Sequence, residues 1–133
     1  MIDIHHSIWF ELGGQCTPED QKLADINEGK QILDWFQDCV GLLCVGNCAA
    51  RCMAKHGFSQ QCLSCIASGA TCLRNRCILP CTFQSNEKCK KCANKKCMPD
   101  FITCSGLSFP VSDKFIKKFI EELKDQNNRL KSR

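Results

Sequence analysis

Apolar positions along this chain recur with a helical period at both ends and thin out between them. Near the start, Leu23, Ile26, Leu33, Phe36 and Val40 recur at spacings that share one helix face, with Gly29 as a weak point. Thr17-Pro18-Glu19-Asp20 opens this run: Thr17 suits a cap, Pro18 the first helical position, and the two acids the positive end of the helix dipole. The helical pattern continues through Cys44, Cys48 and Cys52 and stops at His56-Gly57, so helices should fill most of 19–56. Ser59 opens a second short helix carrying Cys62 and Cys65, which Ser68-Gly69 closes. A third runs from about Ala70 to Ile78, limited by Pro80. Ser85 with Asn86-Glu87 starts a fourth, whose last turn holds Lys95 and Lys96 and whose stop is Met98-Pro99. After the loop at 105–110, Ser112-Asp113 caps a final helix to about Leu130. Its Phe115, Ile116, Phe119, Ile120 and Leu123 form a broad apolar stripe opposite Lys117, Lys118, Glu121, Glu122 and Lys124. No stretch alternates as a half-buried strand would, so the expected fold class is all-α.

Where large apolar residues thin out, cysteine takes over: thirteen of the fourteen cysteines lie between Cys39 and Cys104. Burial alone struggles to offset an ordering cost of roughly 1–2 kcal/mol per residue in such a block. Disulfides at about 2–4 kcal/mol each can take the place of the missing core. Seven of them persist only in an oxidising compartment. Because the block holds an odd number, complete pairing requires Cys16 of the N-terminal arm to bridge into it.

The spacing nearly repeats. From Cys39 it reads C-x4-C-x3-C-x3-C-x9-C-x2-C-x6-C, and from Cys72 C-x4-C-x3-C-x7-C-x2-C-x4-C, with Cys104 closing the block. Cysteines at i, i+3 and i+4 share a helix face and should reach across rather than to each other. Each repeat then reads as an antiparallel helical hairpin with two rungs, Cys48–Cys62 and Cys44–Cys65 in the first, Cys81–Cys89 and Cys77–Cys92 in the second. The expected organisation is an N-terminal arm and helix (1–38), a repeated helical-hairpin domain (39–104), and a linker with an amphipathic helix (105–133).

Charge is segregated. Residues 1–38 carry eight acids and two bases, 39–104 two acids and nine bases, and 105–133 four acids and seven bases. Docking of the acidic arm on the basic body accounts for both. Lys88, Lys91 and Lys95 form a stripe, with Lys90, Lys96, Arg74 and Arg76 beside it, that an anionic partner could meet. A solvated face is the plainer expectation, and no aromatic residues interleave the lysines for base stacking, so no nucleic acid is expected.

Candidate chemistry narrows quickly. The Cys62-x2-Cys65 and Cys89-x2-Cys92 pairs stand at a spacing close to that of a two-knuckle zinc site, but ten other cysteines favour a disulfide framework. The same pairs lack the βαβ surroundings of a thiol oxidoreductase. The cysteine number resembles that of secreted phospholipase A2, yet His56-Gly57 does not match that family's His-Asp pair, and tyrosine is absent. With no G-x-S-x-G, H-E-x-x-H or phosphate loop, the chain is expected to be neither an enzyme nor a cofactor binder. No stretch approaches the ~18 apolar residues of a membrane span. Residues 1–15 lack the basic start and apolar run of a leader, so the numbering is expected to begin at a trimmed mature chain.

The run Cys89-x2-Cys92-x4-Cys97-x3-Phe101-x2-Cys104-Ser-Gly-Leu resembles cysteine-rich modules of secreted or organelle-lumen proteins of algae and other protists. The resemblance implies a lumenal subunit of a larger assembly, such as a photosynthetic membrane complex. The leading expectation is therefore a non-enzymatic subunit that docks on a larger protein or membrane-protein assembly through its apolar ends. Those ends are Ile8, Trp9 and Phe10 in the arm, and Phe115, Ile116, Phe119, Ile120 and Leu123 in the last helix. The alternatives are a secreted effector or toxin-like ligand using the lysine face, and a zinc-binding regulator.

Overall fold

The structure, a computed structural model, describes residues 14–39, 44–109 and 111–131. Helix α1 (Pro18–Asp25) starts on a reciprocal capping box: the Thr17 hydroxyl accepts from the Asp20 N–H at 3.1 Å, and the Asp20 carboxylate accepts from the Thr17 N–H at 2.8 Å. A 3-10 turn (Ile26–Gly29), with Asn27, Glu28 and Gly29 all at positive φ, breaks the apolar run before α2 (Lys30–Cys39). Helix α3 (Asn47–Ala54) begins only after Gly46, which sits at φ 57°, so Cys44 lies outside any helix instead of within the helical pattern expected through Cys44, Cys48 and Cys52.

Helix α4 (Gln60–Phe83) corrects two expected breaks. Ser59 caps it by accepting from the Cys62 N–H, but neither Ser68-Gly69 nor Pro80 ends it. Gly69 serves close packing: a Cβ there would lie 3.2 Å from the Phe101 ring. Pro80 removes the N–H that would serve the Arg76 carbonyl. Bridges Cys77–Cys92 and Cys81–Cys89 flank that position, and the Cys92 sulfur lies 3.4 Å from the same carbonyl oxygen. Helix α5 (Asn86–Cys92), capped by Ser85, runs through a π-helical segment (Ala93–Cys97) into α6 (Met98–Ser105). Met98-Pro99 is thus no stop, because Pro99 falls in the first turn of α6, where proline is tolerated. Gly106, in the left-handed region, ends α6, and α7 (Asp113–Lys131) begins with the Ser112 hydroxyl accepting from the Phe115 N–H.

The apolar stripe of α7 faces inward. Phe115, Ile116, Phe119, Ile120 and Leu123 are all 6% exposed or less and pack with Leu33 and Phe36 of α2 and Leu73 of α4. Phe115 stacks on Phe119 and tilts against Phe36, each pair with ring centroids 6.1 Å apart. The expectation that these five residues meet a partner is corrected: they complete the chain's own core, because the half-cystines alone leave the α2–α4 surface uncovered. Ile8, Trp9 and Phe10 lie outside the described residues.

All fourteen cysteines are paired. In the second repeat the bridges are Cys81–Cys89, Cys77–Cys92 and Cys72–Cys97, so the nested hairpin contains both rungs expected of it and a third. The first repeat is different. Cys48–Cys62 and Cys44–Cys65 do not form; the bridges are Cys44–Cys48, Cys39–Cys52, Cys16–Cys62 and Cys65–Cys104. With Cys44 in a loop, it pairs with its neighbour Cys48, and Cys62 and Cys65 on α4 turn to Cys16 and to Cys104, outside the repeat.

Cys16 thereby pins the segment before α1. Its N–H donates to the Ser105 carbonyl at 3.1 Å and that of Gln15 to the Cys104 carbonyl at 2.8 Å. Gly14 is needed at this crossing, since a Cβ would fall 2.2 Å from the Gly106 nitrogen. Nearby, buried Asp20 clasps α1 to α4 by accepting from the Ser59 N–H at 2.9 Å and the Ser59 hydroxyl at 2.6 Å. Burial pushes this carboxyl up, but the hydrogen bonds from Ser59 and Thr17 outweigh it and hold the group below the usual carboxylate value.

Candidate interaction surface

The second hairpin carries the features that the core does not absorb. On α4, Cys77 and Cys81 face α5, and residues two places further on point about 200° away at 100° per residue. Leu79 and Phe83 occupy those places. They are 61% and 67% exposed, the most open of the large apolar side chains among the described residues. Exposed Arg76 shares their face at i−3 from Leu79.

Helix α5 supplies the cations. Cys89 and Cys92 turn it toward α4, and Lys90 reaches Asp113 at the start of α7 with 2.8 Å between Nζ and Oδ1. Lys88, Lys91 and, beyond them, Lys95 keep an outward side, and all three are exposed. Residues 74–96 carry seven bases and one acid, Glu87. The lysine stripe and the apolar pair thus stand on the outer sides of the two helices of one doubly bridged hairpin.

The N-terminal helices are acidic. Residues 14–39 carry six acids and two bases. Glu122 on α7 is raised above the ordinary glutamate value, first by burial and then by Asp38 and Asp125, against a hydrogen bond from Gln126 and the charge of Arg129. At 1.5 Å per residue, Glu122 lies about 13 Å along α7 from the contact between Lys90 and Asp113.

Two clefts flank α4. One of about 670 Å³ opens between α3 and α4, lined by small residues such as Ala50, Ala54, Ser64 and Ala67, with Arg51 its one charged side chain. A second, of about 280 Å³, lies between α4 and α6 beside Asn75, Arg76 and Asp100. Cys16, Asp20 and Cys62 cluster closely enough to suggest a metal site, but the two sulfurs are bonded to each other and offer no thiolate. The four sulfurs of the two C-x2-C pairs belong to four separate bridges, which leaves no ligand set for a zinc knuckle.

Sequence reasoning names the lysines but misses Leu79 and Phe83, because ending the helix at Ile78 removes their shared face. The i, i+4 spacing of the pair, in register with Arg76, is the signal that carries it.

No protein-family model matches the chain, and no curated protein or solved structure matches it significantly. Fold and bridges define a small all-α disulfide-rich domain, and seven disulfides are those of a protein of an oxidising compartment. Among the described residues no helix is long and apolar enough to cross a membrane.

Proposed function

We propose that this protein is a non-catalytic interaction module, secreted or lumenal, that presents its stapled second hairpin to a larger partner. The observation that carries the reading is the exposure of Leu79 and Phe83 on a limb fixed by Cys77–Cys92 and Cys81–Cys89. Large apolar side chains held open on a rigid support lose little entropy on docking, which favours a binding role. A lumenal subunit of a membrane assembly and a secreted ligand both fit this description, and the resemblance of the segment from Cys89 to Leu107 favours the lumenal form.

The test is photocrosslinking in extract from the native source, with a photoreactive residue at position 83 and a control at exposed Glu19 in the first turn of α1. Capture of protein or lipid at position 83 well above that at position 19 is the expected result. Equal yields at the two positions would remove the hairpin as a docking surface.

A further inference from the structure

We propose that Cys44–Cys48 is a thiol-exchange site, which a dithiol reductant opens while the other six bridges stay closed. The site lies in the first repeat and is independent of the docking role given to the second hairpin.

Exchange asks two things of a disulfide: a sulfur that an attacking thiolate can reach, and a partner sulfur that can leave as a thiolate. Burial withholds one or the other from six of the seven bridges. Cys77–Cys92 and Cys81–Cys89 are buried at both ends. Cys16–Cys62, Cys39–Cys52, Cys65–Cys104 and Cys72–Cys97 each pair a half-buried residue with one that is 4% exposed or less. Attack at the open sulfur of such a bridge strands the leaving thiolate in an apolar core, and attack at the buried sulfur is blocked. Cys44 and Cys48 are both half-buried, so this bridge alone meets both conditions.

Position adds to access. Cys44 precedes the Gly46 turn and lies outside any helix. Cys48 stands in the first turn of α3, whose start has no side-chain cap, and Arg51 shares its face at i+3. A thiolate is favoured at a helix start and beside a cation, so Cys48 is the better leaving group and Cys44 the sulfur attacked. One thiolate of the dithiol bonds to Cys44, the bond between Cys44 and Cys48 breaks, and Cys48 leaves as a thiolate. The second thiol of the dithiol then attacks the reductant's own sulfur in the mixed disulfide, closes a disulfide within the reductant and releases Cys44. Two electrons and two protons pass from the dithiol to the bridge. The ring is also the smallest of the seven, with a sequence separation of 4 against 8 to 46 for the others, so its loss relaxes the unfolded chain least. Gly46, Asn47, Ala50 and Arg51 form the α3 wall of the cleft of about 670 Å³. Opening therefore frees the lip of that cleft while Cys39–Cys52 still holds α3.

The oxidised full chain should be treated under native conditions with graded low concentrations of dithiothreitol, quenched with N-ethylmaleimide, and read by intact mass and peptide mapping. A species labelled at Cys44 and Cys48 alone is expected to form about tenfold or more faster than any further opening, with its helical circular dichroism unchanged. Removing the reductant and adding oxidised glutathione should close the bridge again. In the variant carrying Cys44→Ser and Cys48→Ser, the early doubly labelled species should vanish while the later openings keep their rates. First labels at any other pair, all-or-none labelling of the fourteen cysteines, or an early doubly labelled species that persists in the double-serine variant would each overturn the proposal. A parallel arm with reduced thioredoxin separates the two sources of dithiol: opening there assigns the site to a protein dithiol, and opening by dithiothreitol alone to a small one.

Discussion

The two cysteine repeats are nearly the same in spacing and opposite in use. In the second, the bridges join near neighbours in sequence, 8, 15 and 25 residues apart, and zip α4 onto the α5–α6 rod. In the first, bridges 46 and 39 residues long tie α4 to the N-terminal segment and to the end of α6. The second repeat thus stiffens one limb, whereas the first assembles the limbs into a body. The difference comes from where the cysteines sit: each cysteine of the second repeat lies in the paired rods, while Cys44 lies in a loop and Cys16 arrives from outside. Spacing dictates which face a cysteine takes only once its helix is secured.

Removing bridges should expose that division most strongly. By chain-entropy reasoning, serine at both Cys16 and Cys62 should cost about 4 kcal/mol, against about 2.5 kcal/mol for Cys81 and Cys89. Denaturant midpoints with matched slopes check this, and equal losses would break the contrast between long and local staples.

A smaller effect is expected from the noncovalent clasp beside Cys16–Cys62. Asp20→Ala should cost about 2–3 kcal/mol, since it strands the N–H groups of Thr17 and Ser59 and the Ser59 hydroxyl. The pH dependence has two opposed parts. Asp20 titrates lower in the fold than its ordinary 3.8, so its contribution is full above that value and is lost as pH falls through the lower folded value. Glu122 titrates above its ordinary 4.5, so the fold loses stability as pH rises from there through the folded value. Asp20→Asn should flatten the acid loss and Glu122→Gln the loss at higher pH, both read by unfolding across pH 2–7 as an approximate range.

The smallest effect concerns the contact joining the two regions. In an unobstructed helix, Gly→Ala gains about 1 kcal/mol, but at Gly69 the new methyl group meets the Phe101 ring and the gain should vanish. A full gain would mean that α4 and α6 are not packed through this glycine.

Signals carried by a few adjacent residues were legible in the sequence. Thr17, Ser59, Ser85 and Ser112 each cap the helix they announce, and the alternation of α7 marks its buried face. What could not be read depends on distant partners. Gly69 and Pro80 look like breaks in isolation and are carried inside α4 because Phe101 packs on one and two bridges flank the other. The α7 stripe shows that a face is apolar without saying whether α2 or another molecule covers it. The same holds for the candidate surface: its lysines are visible as charge, but Leu79 and Phe83 become a pair only when α4 continues past Pro80.

The π-helical segment at Ala93–Cys97 has a consequence of its own. By widening one turn it sets the rotational phase of everything after it, so that Phe101 meets Gly69 and Cys104 meets Cys65. Winding the same five residues as ordinary α-helix would turn α6 by about 100°, the step of one residue, whereas deleting one residue would restore α geometry and leave that phase nearly unchanged. Loss of the wide turn at unchanged chain length would misalign the last long bridge while leaving Cys77–Cys92 and Cys81–Cys89 in place. In this protein the pitch of one short segment acts as a coordinate of the fold, and residue identity alone does not set it.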